Sequence, residues 1–113
     1  MARIRHGLEL TGSYLRGAAD EVTSLRESDG DMEAPRVQVH LNTLKVMAAE
    51  LTFDAADRCV QLAGLGQGYL RNSNTSLERT LRDLGSASLN YSNDRLLKAN
   101  GLLSLADPSV TLL

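Results

Sequence analysis

Tryptophan is absent from the 113 residues, phenylalanine occurs once and tyrosine three times. Valine and isoleucine together contribute only seven positions. Sheets draw heavily on these residue types, so their scarcity argues against a sandwich, a barrel or a doubly wound sheet. The single cysteine, Cys59, excludes a disulfide framework and any multi-cysteine metal centre, and it suits a reducing compartment. The two histidines, His6 and His40, belong to no Glu-x-x-His or comparable ligand spacing, so no metal is expected. No run approaches the roughly 18 apolar residues of a membrane span. The start, MARIRHGLEL, is charged early and lacks the apolar stretch of a secretory signal. A formal net charge of −2 supplies no electrostatic pull on nucleic acid. These absences leave a cytoplasmic chain with no nucleic-acid or membrane partner. The Asn-x-Ser triplets at Asn74 and Asn90 are not expected to carry glycans there.

What the chain has in abundance is leucine, at 21 positions, and alanine, at 12. Both are strong helix formers, so the expected class is all-α. From Ile4 the apolar positions run Ile4, Leu8, Leu15, Ala18, Val22 and Leu25, with Thr11 in the remaining slot. Their intervals alternate three and four, one stripe of a helix from about Arg3 to Glu27. The polar loop Ser28 to Pro35 follows, and Pro35 suits the first turn of a second helix. That helix is expected to reach Ala63 with two apolar stripes. One holds Val37, Leu41, Leu44, Ala48, Leu51, Ala55, Cys59 and Leu62; the other holds Val39, Val46, Phe53 and Val60. A surface helix needs one apolar face. Two faces predict partners on both sides, and with only three or four helices in the chain a second chain is expected to cover one.

A glycine turn, 64–74, comes next. Thr75 and Glu78 read as a capping box for a short third helix through about Leu84, interrupted at Gly85. A fourth is expected from about Ala87 to Asn100, closed by Gly101, with the apolar tail after it packing on a neighbour or fraying. The whole is one helical domain, 1–113, an antiparallel bundle of three to four helices.

The glycines Gly64, Gly66 and Gly68 do not fit the dinucleotide fingerprint, which needs a strand before it and a helix opening at its end. Two readings remain: a helix C-terminus followed by a turn rich in positive φ, or a tight turn whose exposed N–H groups touch a cofactor of another domain. His40 stands 19 positions before Cys59, about 29 Å along a helix, which excludes a Cys–His pair within it. Cys59 itself, on an apolar stripe, reads as a packed thiol. Glu78, Arg79, Arg82 and Asp83 form the densest polar cluster, read either as a solvated helix face or as a buried Arg–Asp pair at a helix junction.

Ala56, Cys59 and Gln61 at a helix end, the turn Gly64-Leu65-Gly66-Gln67-Gly68-Tyr69, and then Leu77-Glu78-Arg79-Thr80-Leu81-Arg82-Asp83 resemble, in that order, the C-terminal helical domain of the acyl-CoA dehydrogenase family. The resemblance implies a module of an FAD-dependent oxidoreductase that desaturates acyl thioesters. It implies that Gln61, Gly64, Gly66 and Gly68 approach an FAD shared across a subunit interface, in a homo-oligomer or with a larger flavin-binding subunit. In the family two glycines are adjacent, whereas Leu65 separates them here. Tyr91 stands where many members carry a catalytic glutamate, and a tyrosine, with its ordinary pKa near ~10, is a poor base at neutral pH. No catalytic residue is therefore assigned, and the chain is not expected to turn over substrate alone. The alternatives are a non-enzymatic helical oligomerisation scaffold and part of a flavin-dependent hydroxylase of the same fold.

Overall fold

The computed structural model describes residues 1–70, 72 and 74–111. Arg71 and Ser73 of the expected glycine turn, and Leu112 and Leu113 of the tail, lie outside the described residues. The described chain is all-helical: α1 (Ala2–Glu27), α2 (Pro35–Gly64), a single π-helical turn (Leu65–Tyr69), α3 (Leu77–Ser86) and α4 (Asn93–Ala106). Pro35 begins α2 where its missing N–H costs no bond. Before it, the Glu33 N–H donates to Asp31 Oδ1 at 2.9 Å, an Asx turn that closes the interhelical loop.

Helix α2 is the spine, the one helix that meets all the others among the described residues. Helix α1 runs antiparallel along it, with Gly7 beside Leu51 and Glu21 beside His40. On the return path Gly68 lies against Val60, Gly85 against Phe53, and Lys45 reaches Asn93. Val37, Val46 and Val60 are the largest fully buried side chains, all on α2. Helix α1 lies along one apolar face of α2, and the π-turn with α3 and α4 lies along the other. These short elements folded back along a 30-residue spine cover much of both faces, while Leu62 on one stripe and Phe53 on the other stay exposed.

Two expectations change. On α1, Leu8 and Leu15 are about half exposed, and Gly7 is buried. A Cβ on Gly7 would stand 3.4 Å from the Leu51 carbonyl oxygen. The seam therefore runs one residue off the expected row, where a glycine permits the closer approach. Helix α4 begins six residues later than expected, at Asn93, and runs through Gly101 to Ala106. Lys45 explains the delay. Its Nζ donates to the carbonyls of Ala87 (2.8 Å) and Tyr91 (2.6 Å) and to Asn93 Oδ1 (2.6 Å). With all three ammonium protons placed, the 87–92 segment is held as a turn. Downstream, Asn100 accepts from Asn42 at 3.1 Å and donates to Thr43 at 3.2 Å. A residue so tied to α2 stays within the helix, so Gly101 does not end it.

Candidate functional site

The glycine turn sits at the C-terminal end of α2. Gly64 has φ +79, a left-handed conformation that favours glycine, and it lets the chain leave the α-helix for the π-turn. Gly68 is buried for a different reason: a Cβ there would fall 2.5 Å from the Val60 carbonyl oxygen. It holds the turn against α2. At Gly64 and Gly66 a Cβ would meet nothing within 4 Å. Their backbone is open, and Leu62, Leu65, Tyr69 and Leu70 around them are exposed.

Gln61 is exposed one turn before Gly64, and its Nε2 donates to Asp57 at 2.9 Å. It also lines a concavity of about 370 Å³ with Arg3, Arg58 and Leu62. Arg58 donates to Asp54 at 2.8 Å, a solvated i,i+4 pair on the polar strip of α2. Of the four residues expected at a cofactor, Gln61 and Gly66 are exposed, Gly64 is half-buried with open space for a Cβ, and Gly68 is buried against Val60 of α2.

The Arg-Asp cluster is a solvated face. Arg82 pairs with Glu78 one turn back, with more than half of the arginine side chain exposed, and Asp83 is exposed. Glu78 consequently does not reach back to cap α3. Its N-cap residue is Ser76, at φ +52, and the Leu77 N–H donates to Thr75 Oγ1 at 3.4 Å. Tyr91 is exposed with φ +101, and its carbonyl oxygen is held by Lys45. Cys59 is half-buried.

The polar residue that sequence reasoning passed over is His40, 3% exposed. Its Nδ1 lies 2.7 Å from Glu21 Oε2 and its Nε2 lies 2.6 Å from the Thr111 carbonyl oxygen. The carbonyl can only accept, and which ring nitrogen donates depends on the tautomer. Arg36 stands 3.8 Å from the other Glu21 oxygen. Tyr14, His40, Thr43, Ser104 and Thr111 border a concavity of about 480 Å³ here. Burial raises the Tyr14 pKa, the nearby Glu21 carboxylate adds to the rise, and a hydrogen bond with Thr43 opposes it. The cluster joins α1, α2 and the tail across long sequence separations, which no local spacing reveals.

Among the described residues no three His, Cys, Asp or Glu side chains converge as a metal site, and no helix is long and apolar enough to cross a membrane. No protein-family model, no curated protein and no solved structure matches the chain.

Proposed function

We propose that this chain is a helical module of an acyl-CoA-dehydrogenase-like flavoprotein, walling an FAD that a larger flavin-binding subunit or another copy of the chain holds. The observation that carries the reading is the bare backbone of Gly64 and Gly66 beside Gln61, framed by exposed leucines. A flat ring can lie against glycine backbone where any side chain would keep it away. The exposed amide of Gln61 would bond a polar edge of such a ring, and Arg3 and Arg58, which border a concavity with Gln61, would supply positive charge for its phosphates. Gly68, turned into α2, fixes the turn rather than the ligand.

When bound, FAD supplies the electron-accepting chemistry of acyl-thioester desaturation. This chain would contribute binding, orientation and exclusion of water, with no proton-abstracting residue of its own. The test is titration of FAD into the purified chain, and into any complex that co-purifies with it, read by flavin fluorescence anisotropy. A saturable rise is expected, lost in Gly66→Val with the thermal midpoint unchanged, because Gly66 has open space around it. An anisotropy that stays flat in both preparations overturns the flavin reading.

A further inference from the structure

Helix α1 touches only one other helix, α2, among the described residues. At right angles to that seam it presents Leu8, Gly12, Leu15 and Ala19, spaced four, three and four, a second helical stripe. Leu8 is 51% and Leu15 52% exposed. Between them Gly12 floors a hollow of about 390 Å³ bordered by Arg5, Leu8, Glu9 and Arg16. Nothing in the fold demands that glycine. A Cβ there would meet only the Arg16 guanidinium, at an ordinary 3.6 Å. A glycine in the interior of an exposed helix gives up helix propensity, and here the monomer gains nothing from it.

The charges beside the stripe supply the direction of a partner. Arg5, Glu9, Arg16 and Asp20 lie along one flank, and all four are exposed. Reflected about the point between Gly12 and Ser13, Arg5 falls on Asp20 and Glu9 falls on Arg16. In an antiparallel helix pair the same flank of each copy meets, so a two-fold axis at that point sets every cation opposite an anion. In a parallel pair that flank would instead meet the opposite edge of the partner's stripe, where Ile4, Thr11 and Ala18 carry no charge. We infer that α1 pairs with α1 of a second copy of this chain, antiparallel and two-fold symmetric. The helices cross at Gly12, and Leu8 and Leu15 of each copy fill the hollow of the other. An isologous contact of this kind closes at two copies. The inference stands apart from the flavin reading, since neither the surface nor its test involves a cofactor.

Sedimentation velocity across a concentration series reads the association. One helix pair is a small interface, so a dimer with Kd of about micromolar order is expected. Leu8→Lys with Leu15→Lys should leave a monomer with an unchanged circular dichroism spectrum and melting curve, because both side chains are half exposed. Glu9→Arg alone should raise Kd about tenfold or more by facing two cations, and adding Arg16→Glu should restore it. Orientation is read in a Cys59→Ser background, where Gly12→Cys, at the crossing point, is expected to cross-link copies under mild oxidation and Leu8→Cys is not. A wild-type chain that stays monomeric at the highest concentration, failure of the double swap to rescue, or cross-linking through position 8 in preference to 12 would overturn the pairing.

Discussion

Tyr14 sits in the α1–α2 seam, where its ring displaces water and its hydroxyl bonds Thr43. Burial disfavours the phenolate, and the Glu21 carboxylate disfavours it further, so the hydroxyl titrates above its ordinary value. The consequence for stability has a definite sign. With its pKa raised in the folded state, Tyr14 contributes stability that is fully present below about pH 10 and is lost as the pH rises through the folded value. Melting temperature measured between neutral and strongly alkaline pH should therefore fall more steeply above about pH 10 in the wild type than in Tyr14→Phe. Equal slopes would place the ring in solvent. His40 shows the other way a lone polar side chain is retained in a core, with a carboxylate on one nitrogen and a carbonyl on the other. Neither environment is legible from the sequence. Glu21, Thr43 and Thr111 become neighbours of these rings only when α1 and the tail fold back along α2.

Among the elements, α1 and α2 are the ones whose limits can be read directly. The three-four spacing marks their length, and Gly30 and Pro35 punctuate the loop between them. What periodicity leaves undecided is which row of α1 faces inward. The rows through Leu8 and Leu15, and through Gly7 and Tyr14, share Ile4, Thr11, Ala18 and Leu25. Close approach to Leu51 selects the second row, which a count of apolar residues ranks lower. At α4 the deciding residue is 48 positions away: Lys45 binds the carbonyls that a helix beginning at Ala87 would have used internally. Lys45→Met keeps the apolar stem and removes the three donors. It should cost about 2 kcal/mol, since three acceptors lose a charged partner while part of the site stays open to water. Hydrogen exchange should show the loss of protection concentrated at the start of α4. Uniform loss along α1 would show that Lys45 supports the whole fold rather than this turn.

At the scale of the molecule, the chain is long and narrow, 51 × 26 × 22 Å, with α2 along its length. Such a shape has little interior, and the residues that fill it come largely from one helix: Val37, Val46, Ala49, Ala55, Ala56 and Val60. Val60, enclosed beneath the π-turn, is the sharpest probe of that arrangement. Val60→Lys should cost more than about 3 kcal/mol by burying an unpaired ammonium, and it should abolish cooperative thermal unfolding. A folded, merely dissociated Val60→Lys protein would mean that this face of α2 meets a second chain after all.

The sequence by itself determined the helical class, the long α1–α2 pair and the position of the glycine turn, because each depends on local propensity, spacing or punctuation. Tertiary structure decided which face of α1 is buried, where α4 starts, which glycines are open and which is enclosed, and that His40 belongs with Glu21. These depend on the distance of closest approach between helices and on hydrogen bonds between residues far apart in the chain. Neither quantity leaves a local trace in residue order.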